Sequence, residues 1–303
     1  MEIHRLKVFC KVVELRSFTK AGESLKLAQP TISEHIRGLE ESLGEKLIDR
    51  LSRGVLPTPA GRILYQYARN IIQLSDDAIQ ALEHFKGKLA GTLVLGASTI
   101  PGTYVLPRLV GLFKTLHPAI QITLRISDTA EIAGSVVEND LEAGFVGSKP
   151  GDRRLSSEEF FLDELVLVVS PEHPWTRRGS IELEELSGEP FIMREDGSGT
   201  RTAMTRILEQ AGFDASRLNI VAEMGSTEAV RQGIKARIGV SILSREAVAE
   251  DFRYGTLAPV PVDGIRFPRP LFLIHRKNRQ LSPVCSEFLN FIRDKKEPSA
   301  NQV

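Results

Sequence analysis

The sequence has few of the residues that mark several common classes of protein. It contains two cysteines in 303 residues, Cys10 and Cys285, and neither belongs to a CxxC pair. A disulfide framework and a zinc site built on paired cysteines are therefore excluded. Aromatic residues make up only 6% of the chain, with one tryptophan, which disfavours a pocket built from stacked aromatic rings.

Long apolar runs and an excess of one charge are also missing. No segment approaches the roughly 18 apolar residues that cross a bilayer, and the opening MEIHRLKVFC does not resemble a secretory signal. The cytoplasm is therefore the expected compartment. The 39 basic and 39 acidic residues cancel, but residues 1–70 hold 12 basic and 8 acidic side chains. This asymmetry indicates a basic head on an acidic body.

Helical periodicity dominates the first ninety residues. Apolar residues recur every three or four positions over 3–15, and Ser17 is a suitable N-cap for a second helix. A third helix is predicted from Pro30 to Leu43, with Gly44 as its stop. Its buried face comprises Ile32, Ile36, Leu39 and Leu43.

A hairpin and a long helix follow. The extended segments 47–50 and 54–57 flank a short polar turn, and Thr58 and Pro59 then open a helix that runs to about residue 88. A helix of this length exceeds what so small a head can bury. It therefore predicts a linker or a dimerisation helix.

From Gly91 onward, short apolar strands alternate with helical segments. The predicted strands are 92–96, 120–126, 143–147, 165–170, 191–193, 220–223, 239–243 and 271–274, and the predicted helices are 104–116, 132–138, 200–212, 227–236 and 283–294. Such alternation is typical of an α/β domain with a parallel sheet.

The helical head has the elements of a winged helix-turn-helix, whose second helix enters the DNA major groove. Here that helix carries side chains that can hydrogen-bond base edges or contact phosphates. The candidate DNA-binding residues are Gln29, Pro30, Thr31, Ser33, His35 and Arg37 on this helix, and Arg50 and Arg53 on the hairpin. The alternative is an ordinary solvated polar face.

The residues from Phe9 to Gly61 closely resemble the head of LysR-type transcriptional regulators. The matching runs are 17–22, 28–33 and 58–61, with Leu, Gly and Arg residues at the family spacing between them. Two positions depart from the family pattern: Gly22 replaces its usual alanine, and Ile48 its usual phenylalanine. Later in the chain, Arg237 stands where the family usually has a glycine.

This resemblance implies a multidomain chain. A winged helix-turn-helix domain would cover residues 1–58, and a linker and dimerisation helix would cover 59–89. An effector domain over 90–296 would be built like a periplasmic solute-binding protein from two Rossmann-like α/β lobes. Lobe I would comprise 90–163 and 267–296, lobe II would comprise 164–266, and a ligand would bind between them.

Three predicted loops lie at the carboxyl ends of strands, where such a cleft binds its ligand. The loop 195–201 is the clearest of them: glycines allow close backbone approach, a helix start offers free N–H groups, and Arg201 suits an anion. The candidate effector-binding residues are Ser98, Thr99, Ile100, Thr129, Ser198, Gly199, Thr200, Arg201, Ser226 and Thr227. The alternative is turn and cap chemistry, with Arg201 in a salt bridge.

The resemblance implies a sequence-specific transcriptional regulator that is not an enzyme. Its expected partners are double-stranded promoter DNA, a small and anionic co-inducer, a second copy in a homodimer or homotetramer, and RNA polymerase; neither a membrane nor a cofactor or metal is expected. The family pattern includes activators, but the sequence leaves activation and repression open. The alternative function is an α/β enzyme or solute-binding module that holds a phosphorylated substrate in the Gly-Ser-Gly-Thr-Arg loop. No histidine pair has metal-ligand spacing, and neither a nucleophile elbow nor a P-loop lysine is present, which disfavours the enzyme.

Overall fold

The computed structural model describes residues 2–51, 54–85 and 89–295. The chain forms two compact units, Met1–Lys88 with Glu138–Asp140, and Leu89–Val137 with Leu141–Val303. Within the described ranges, no helix combines the length and the apolar character needed to cross a membrane.

The first unit consists of helices and one hairpin. Its elements are α1 (Ile3–Leu15), α2 (Phe18–Leu25), α3 (Gln29–Leu43), β1 (Ile48–Leu51), β2 (Gly54–Pro57) and α4 (Pro59–Phe85). Local chemistry sets several of these boundaries: the Ser17 and Thr58 hydroxyls accept hydrogen bonds from first-turn N–H groups of α2 and α4. Gly44 ends α3 with a φ of 71°. The predicted helices and hairpin are confirmed.

The core of this unit lies where α1, α2 and α3 pack together with the start of α4. Phe9, Ile32, Ile36 and Leu39 are all buried there. The prediction that Leu43 is buried is wrong, since its side chain is 40% exposed. Leu43 is the last residue of α3, and Gly44 turns the chain away from the core at that point.

Gly22 permits the tight turn between α2 and α3. A Cβ atom at this position would come within 2.6 Å of the Leu27 carbonyl oxygen. The Leu27 N–H in turn donates to the Gly22 carbonyl at 2.9 Å. An alanine at this position would therefore require the turn to shift.

The second unit is an α/β domain of two lobes. Lobe I contains β3 (Gly91–Ser98), α5 (Leu106–Leu116), β4 (Ile120–Ser127), α6 (Thr129–Val137), β5 (Ala143–Val146) and α10 (Pro283–Asp294). Lobe II contains β7 (Pro190–Arg194), α7 (Gly199–Gln210), β8 (Asn219–Met224), α8 (Thr227–Lys235), β9 (Ser241–Ser244), α9 (Arg245–Tyr254) and β10 (Ala258–Val260). Two long strands, β6 (Leu155–Val169) and β11 (Phe267–Arg276), cross between the lobes.

Strand pairing in this unit is mixed rather than wholly parallel. Parallel pairing holds for β3 with β4 and β5, and for β7 with β8. The crossover strands β6 and β11 are antiparallel to each other along the whole of β11. The parallel prediction failed for them because a strand that leaves a lobe and one that returns to it run in opposite directions.

Among the described α-helices and strands of this unit, the sequence does not predict the first half of β6, helix α9 or strand β10. The predicted lobe boundary after residue 163 falls inside β6. Each lobe has its own apolar core, formed around Phe113, Phe145 and Phe288 in lobe I and around Phe191 and Phe213 in lobe II. The space between the lobes is therefore left to polar side chains.

In the first unit, the Glu40 carboxylate joins α3 to the hairpin. Its Oε1 accepts from the backbone N–H groups of Leu47 at 2.9 Å and Ile48 at 3.3 Å, and its Oε2 accepts from Lys46 at 2.9 Å. Burial alone would raise the pKa of Glu40, but these hydrogen bonds outweigh it and hold the pKa below its usual value.

Replacement of this carboxylate should weaken the head. We expect Glu40→Gln to lower the free energy of unfolding by about 1–3 kcal/mol at neutral pH, because one buried N–H group or the Lys46 ammonium loses its charged acceptor. The folded pKa lies below the unfolded one, so the difference from wild type is present above about pH 4.3 and disappears as the pH falls through the folded pKa. Urea unfolding of the full chain, followed by circular dichroism, measures it.

The matched control is Glu41→Gln, one residue further along α3. The Glu41 carboxylate is exposed and lies 3.8 Å from Arg37, so its loss should change stability by less than about 0.5 kcal/mol. Equal destabilisation by the two substitutions would contradict the role of Glu40.

Candidate functional site

A polar cleft lies between the two lobes of the second unit. Its wall combines the ends of β3 and β4, the first turns of α6 and α7, and one side chain from β11. The lining residues are Ser98, Thr99, Ile100, Asp128, Thr129, Arg194, Glu195, Ser198, Gly199, Thr200 and Arg269. The structure thus brings seven of the ten predicted effector residues to one place, with contributions from both lobes.

Two helices begin at this cleft. Thr129 is the first residue of α6, and Ser198 is the N-cap of α7, where its hydroxyl accepts from the Arg201 backbone N–H at 3.5 Å. The first turn of a helix carries backbone N–H groups without partners inside the helix and a partial positive charge. The start of α7 therefore favours an anion in the cleft, whereas at α6 the Asp128 carboxylate already accepts from the Glu131 N–H at 2.8 Å.

Gly199 packs closely against two polar groups of the cleft. The Thr129 Oγ1 is buried and has no hydrogen-bond partner among the described residues. A Cβ atom on Gly199 would lie 3.1 Å from this hydroxyl and from the Gly147 carbonyl carbon, and 3.2 Å from the Nη2 of Arg269. A side chain at this position would therefore crowd a hydroxyl and a guanidinium that both suit an oxyanion.

The structure does not bring Arg201 to the cleft. Its guanidinium lies 2.9 Å from a Glu223 carboxylate oxygen and 3.1 Å from one of Asp196, and it also donates to the Arg194 carbonyl at 3.0 Å. This is the salt-bridge alternative, in which Arg201 holds the loop before α7 in place. The hydroxyls and N–H groups of that loop, rather than Arg201, face the cleft.

Ser226 and Thr227 also lie outside the cleft lining. Ser226 is the N-cap of α8 and accepts from the Ala229 N–H at 3.1 Å. The Thr227 hydroxyl is buried and accepts a hydrogen bond from the guanidinium of Arg194. Thr227 therefore supports a cleft residue from behind.

Two cleft arginines, Arg194 and Arg269, were missed by sequence reasoning. Their side chains are only 4% and 2% exposed. Arg194 is the last residue of β7 and pairs with the Glu195 carboxylate at 2.6 Å through both Nε and Nη2. A period-two pattern could have identified Arg269, because Phe267, Arg269 and Leu271 occupy every second position of β11 and all three are buried.

Burial shifts the pKa values of both Arg269 and its neighbour Asp163. Burial lowers the pKa of Arg269 to about 10; the charge of Asp163 opposes this change, and that of Arg194 adds to it. Burial also raises the pKa of Asp163, whose carboxylate lies 3.7 Å from the Arg269 Nη1. Arg269 therefore remains charged at neutral pH with little hydration, so a further negative charge nearby would be favourable.

In the first unit, the predicted DNA-binding residues occupy the outer face of α3. Gln29, Pro30 and Arg37 are exposed, while Thr31, Ser33 and His35 are half-buried. The Gln29 amide donates to the Ser33 hydroxyl at 3.2 Å, and the His35 ring packs edge-on against His4, 4.9 Å between centroids. Arg50 is the third residue of β1, and Arg53 lies outside the described residues.

Comparison with known families matches both units. The family described as "Bacterial regulatory helix-turn-helix protein, lysR family" covers residues 3–62, and "LysR substrate binding domain" covers residues 86–297. The HTH-type transcriptional activator CmpR of Synechocystis sp. is 32% identical over 290 residues, which are 96% of this chain and 94% of CmpR. A probable RuBisCO transcriptional regulator of Cyanidioschyzon merolae is 33% identical over 295 residues, 95% of this chain and 97% of that protein.

Solved structures share the fold. A full-length OxyR variant from Pseudomonas aeruginosa is 20% identical, with a TM-score of 0.75 over 100% of this chain and 99% of its own. Full-length CbnR in complex with its target DNA is 22% identical, with a TM-score of 0.71 over 97% of this chain and 99% of its own. The Synechocystis CcmR regulatory domain in complex with 2-PG is 27% identical, with a TM-score of 0.64 over 69% of this chain and 99% of that domain.

The role of the two groups beside Gly199 can be tested by adding a side chain there. We expect Gly199→Ala to weaken binding of small oxyanions at least about tenfold, or 1.4 kcal/mol, because the added methyl group lies between the Thr129 hydroxyl and Arg269. Calorimetric titration of the full chain with sulfate, phosphate and small phosphorylated carboxylates measures this, with thermal unfolding as a check on folding.

Gly134→Ala provides the control substitution. Gly134 lies within α6, and a Cβ atom there would meet nothing within 4 Å. The Gly134→Ala variant should bind each anion with the affinity of the wild type. Unchanged affinity in Gly199→Ala for every anion that the wild type binds would show that the anion is not held beside the Thr129 hydroxyl and Arg269.

Proposed function

This chain belongs to the LysR family of transcriptional regulators, and from that premise we propose which residues contact DNA and which class of metabolite controls them. Membership makes the protein a DNA-binding regulator that responds to a small molecule, rather than an enzyme. The class of effector and the residues that contact DNA are proposals that go beyond family membership. The cytoplasm, where promoter DNA is accessible, is the proposed compartment.

The proposed effector is a small phosphorylated carboxylate. The observation that carries this proposal is the cleft itself, where two buried arginines, the start of α7 and a Thr129 hydroxyl without a partner among the described residues meet. A compound with two anionic groups could use Arg269 and the start of α7 for one group and the Ser98 and Thr99 hydroxyls for the other. The related CcmR domain was solved with such a compound, 2-phosphoglycolate (2-PG).

The names of the relatives support a target class. Several regulators at 30–33% identity are described as RuBisCO transcriptional regulators. We therefore propose that the regulated promoters serve carbon assimilation, and that the effector reports on the supply of a phosphorylated intermediate.

Side-chain chemistry suggests which of the candidate residues contact base edges and which contact phosphates. Gln29, Thr31 and Ser33 are neutral and suited to base edges, whereas Arg37, with Arg50 and Arg53 of the hairpin, is suited to phosphates. Pro30 starts the helix at its first turn. His35 packs against His4, so we assign it to the orientation of α3 on α1.

Homo-oligomer formation has two candidate surfaces. On α4, Ile63, Tyr67 and Leu74 form a stripe at spacings of four and seven, with exposures of 61%, 64% and 71%. On the second unit, apolar side chains are exposed along the α5–β4 side of lobe I and on β8 of lobe II; they are Leu112, Leu116, Ile126, Ile220 and Val221. We propose that the first surface pairs two chains and that the second joins pairs into a tetramer.

DNA binding can be resolved into base and phosphate contacts. On a site selected from random DNA, we expect Ser33→Ala to reduce discrimination against a scrambled site by about 1–3 kcal/mol, with an unchanged salt dependence. Arg37→Ala should weaken binding to both DNAs equally and reduce the slope of log K against log salt by about one. Fluorescence anisotropy across a salt series measures both quantities.

Arg177→Ala serves as the control, because Arg177 is an exposed arginine of lobe II. It should match wild type on both DNAs. If the α3 variants also matched wild type in affinity, discrimination and salt slope, α3 would not be the DNA-contacting helix.

The stripe on α4 generates a prediction about assembly. We expect Leu74→Glu to shift the protein toward the monomer, because a dimer would have to bury a carboxylate in its apolar interface. Sedimentation velocity over a concentration series measures the change. Gln210→Glu adds the same charge to an exposed position at the end of α7 in lobe II, outside both candidate surfaces, and should leave assembly unchanged. A Leu74→Glu variant that assembles like the wild type would exclude the stripe as an interface.

A further inference from the structure

We propose that Arg269 is the residue through which an anion in the cleft changes the arrangement of the two lobes. The inference rests on the proposed anionic effector and adds a mechanism of response to it. Arg269 would then both contact the effector and act as a positioning residue for α7.

Arg269 is bonded to both lobes at once. Its Nε donates to the Gly147 carbonyl at 3.1 Å, just after β5 of lobe I, and its Nη1 donates to the Thr200 hydroxyl at 3.0 Å, in the first turn of α7 in lobe II. Arg269 itself belongs to β11, where it lies directly opposite Asp163 of β6. One planar group thus links the two crossover strands to a loop of one lobe and a helix of the other.

Two glycines make room for this guanidinium. A Cβ atom on Gly147 would lie 1.9 Å from the Arg269 Nη2, and one on Gly199 would lie 3.2 Å from it. Among the described residues, the hydrogen bonds of Arg269 come from Nε and Nη1, and none comes from Nη2. Since Arg269 lines the cleft, Nη2 is the atom placed to meet an anion beside Gly199.

Protein groups compensate the charge of Arg269 incompletely. Asp163 is its paired carboxylate, but the separation of 3.7 Å from Nη1 exceeds hydrogen-bond distance. Arg194 is close enough to lower the pKa of Arg269 further, and its own carboxylate partner, Glu195, is fully engaged with it. A bound anion would therefore compete with Asp163 and Thr200 for the same guanidinium.

This competition connects binding to lobe geometry. An anion on Nη2 draws the guanidinium toward itself, and the Nε and Nη1 hydrogen bonds must follow or break because the group is rigid and planar. Thr200 moves with α7, while Gly147 moves with lobe I. A shift of the guanidinium therefore biases the position of one lobe against the other, which is a differential interaction of the kind that a population shift requires.

The experiment measures affinity and lobe geometry separately in the full-length protein. Spin labels are attached at Arg153→Cys in lobe I and Glu209→Cys in lobe II, both of which are exposed positions; the native Cys10 and Cys285 are buried. Labelled chains are diluted with unlabelled chains so that distances within one chain dominate. The label distance is recorded with and without saturating 2-PG, and calorimetry gives the affinity for 2-PG, phosphate and sulfate.

In the wild type, 2-PG should bind and change the label distance. Arg269→Lys should still bind 2-PG, about tenfold more weakly, but lose the distance change, because an ammonium has no planar fork to hold Gly147 and Thr200 in fixed directions. Asp163→Asn removes the competing carboxylate. This variant should bind 2-PG about tenfold more tightly and should still change its label distance when 2-PG binds. Arg266→Lys, at an exposed arginine just before β11, should behave like wild type.

Four results would overturn the proposal. A wild-type distance change in Arg269→Lys at saturation, or 2-PG binding to the wild type without any distance change, would reject the coupling role while leaving the anionic effector intact. No binding of 2-PG, phosphate or sulfate to the wild type would reject the anionic effector and the coupling together. If Arg269→Lys fails to fold, Thr200→Val removes the lobe II acceptor without touching the buried charge, and a full distance change in that variant would equally overturn the proposal.

Discussion

The guanidinium of Arg269 is buried where the two long strands of the effector domain cross from one lobe to the other. A buried charge is costly unless its donors find acceptors and its charge finds a counterion. Here the acceptors come from both lobes, as the Gly147 carbonyl and the Thr200 hydroxyl, and the facing carboxylate comes from Asp163 on the neighbouring strand. The polar lining of the cleft and the close approach of Gly147 and Gly199 both depend on this one group.

The head uses a buried ionic group in a comparable way. Glu40 holds the hairpin to the helix that is proposed to contact DNA, through two backbone N–H groups and a lysine. A two-stranded hairpin is only marginally stable by itself, and this anchor adds to the burial of Ile48 and Val55 in the core of the head. In both units, a single ionised side chain thus fixes two elements whose relative position matters for binding.

The loop before α7 shows how one short segment serves two purposes. Arg201 lies between Glu223 and Asp196 and holds the loop in place, while Ser198, Gly199 and Thr200 turn their polar groups toward the cleft.

Arg237, after α8, has a strained backbone conformation. Its φ of 61° lies in the left-handed region, which favours glycine. That conformation explains why the family usually has glycine at this position.

Features that depend on neighbours along the chain could be predicted from the sequence. The caps at Ser17, Thr58 and Gly44, the periodicity of the head helices and the polar loops at strand ends all follow from local backbone chemistry, and the family pattern added the two-lobe plan. Which arginines line the cleft depends on the tertiary fold. The loop sequence predicts Arg201 in that place, whereas the structure has Arg194 and Arg269 in the lining. The physical reason is that burial and pairing of a charge depend on groups far away in sequence, such as Gly147, Asp163 and Thr200 around Arg269, and no local pattern encodes them.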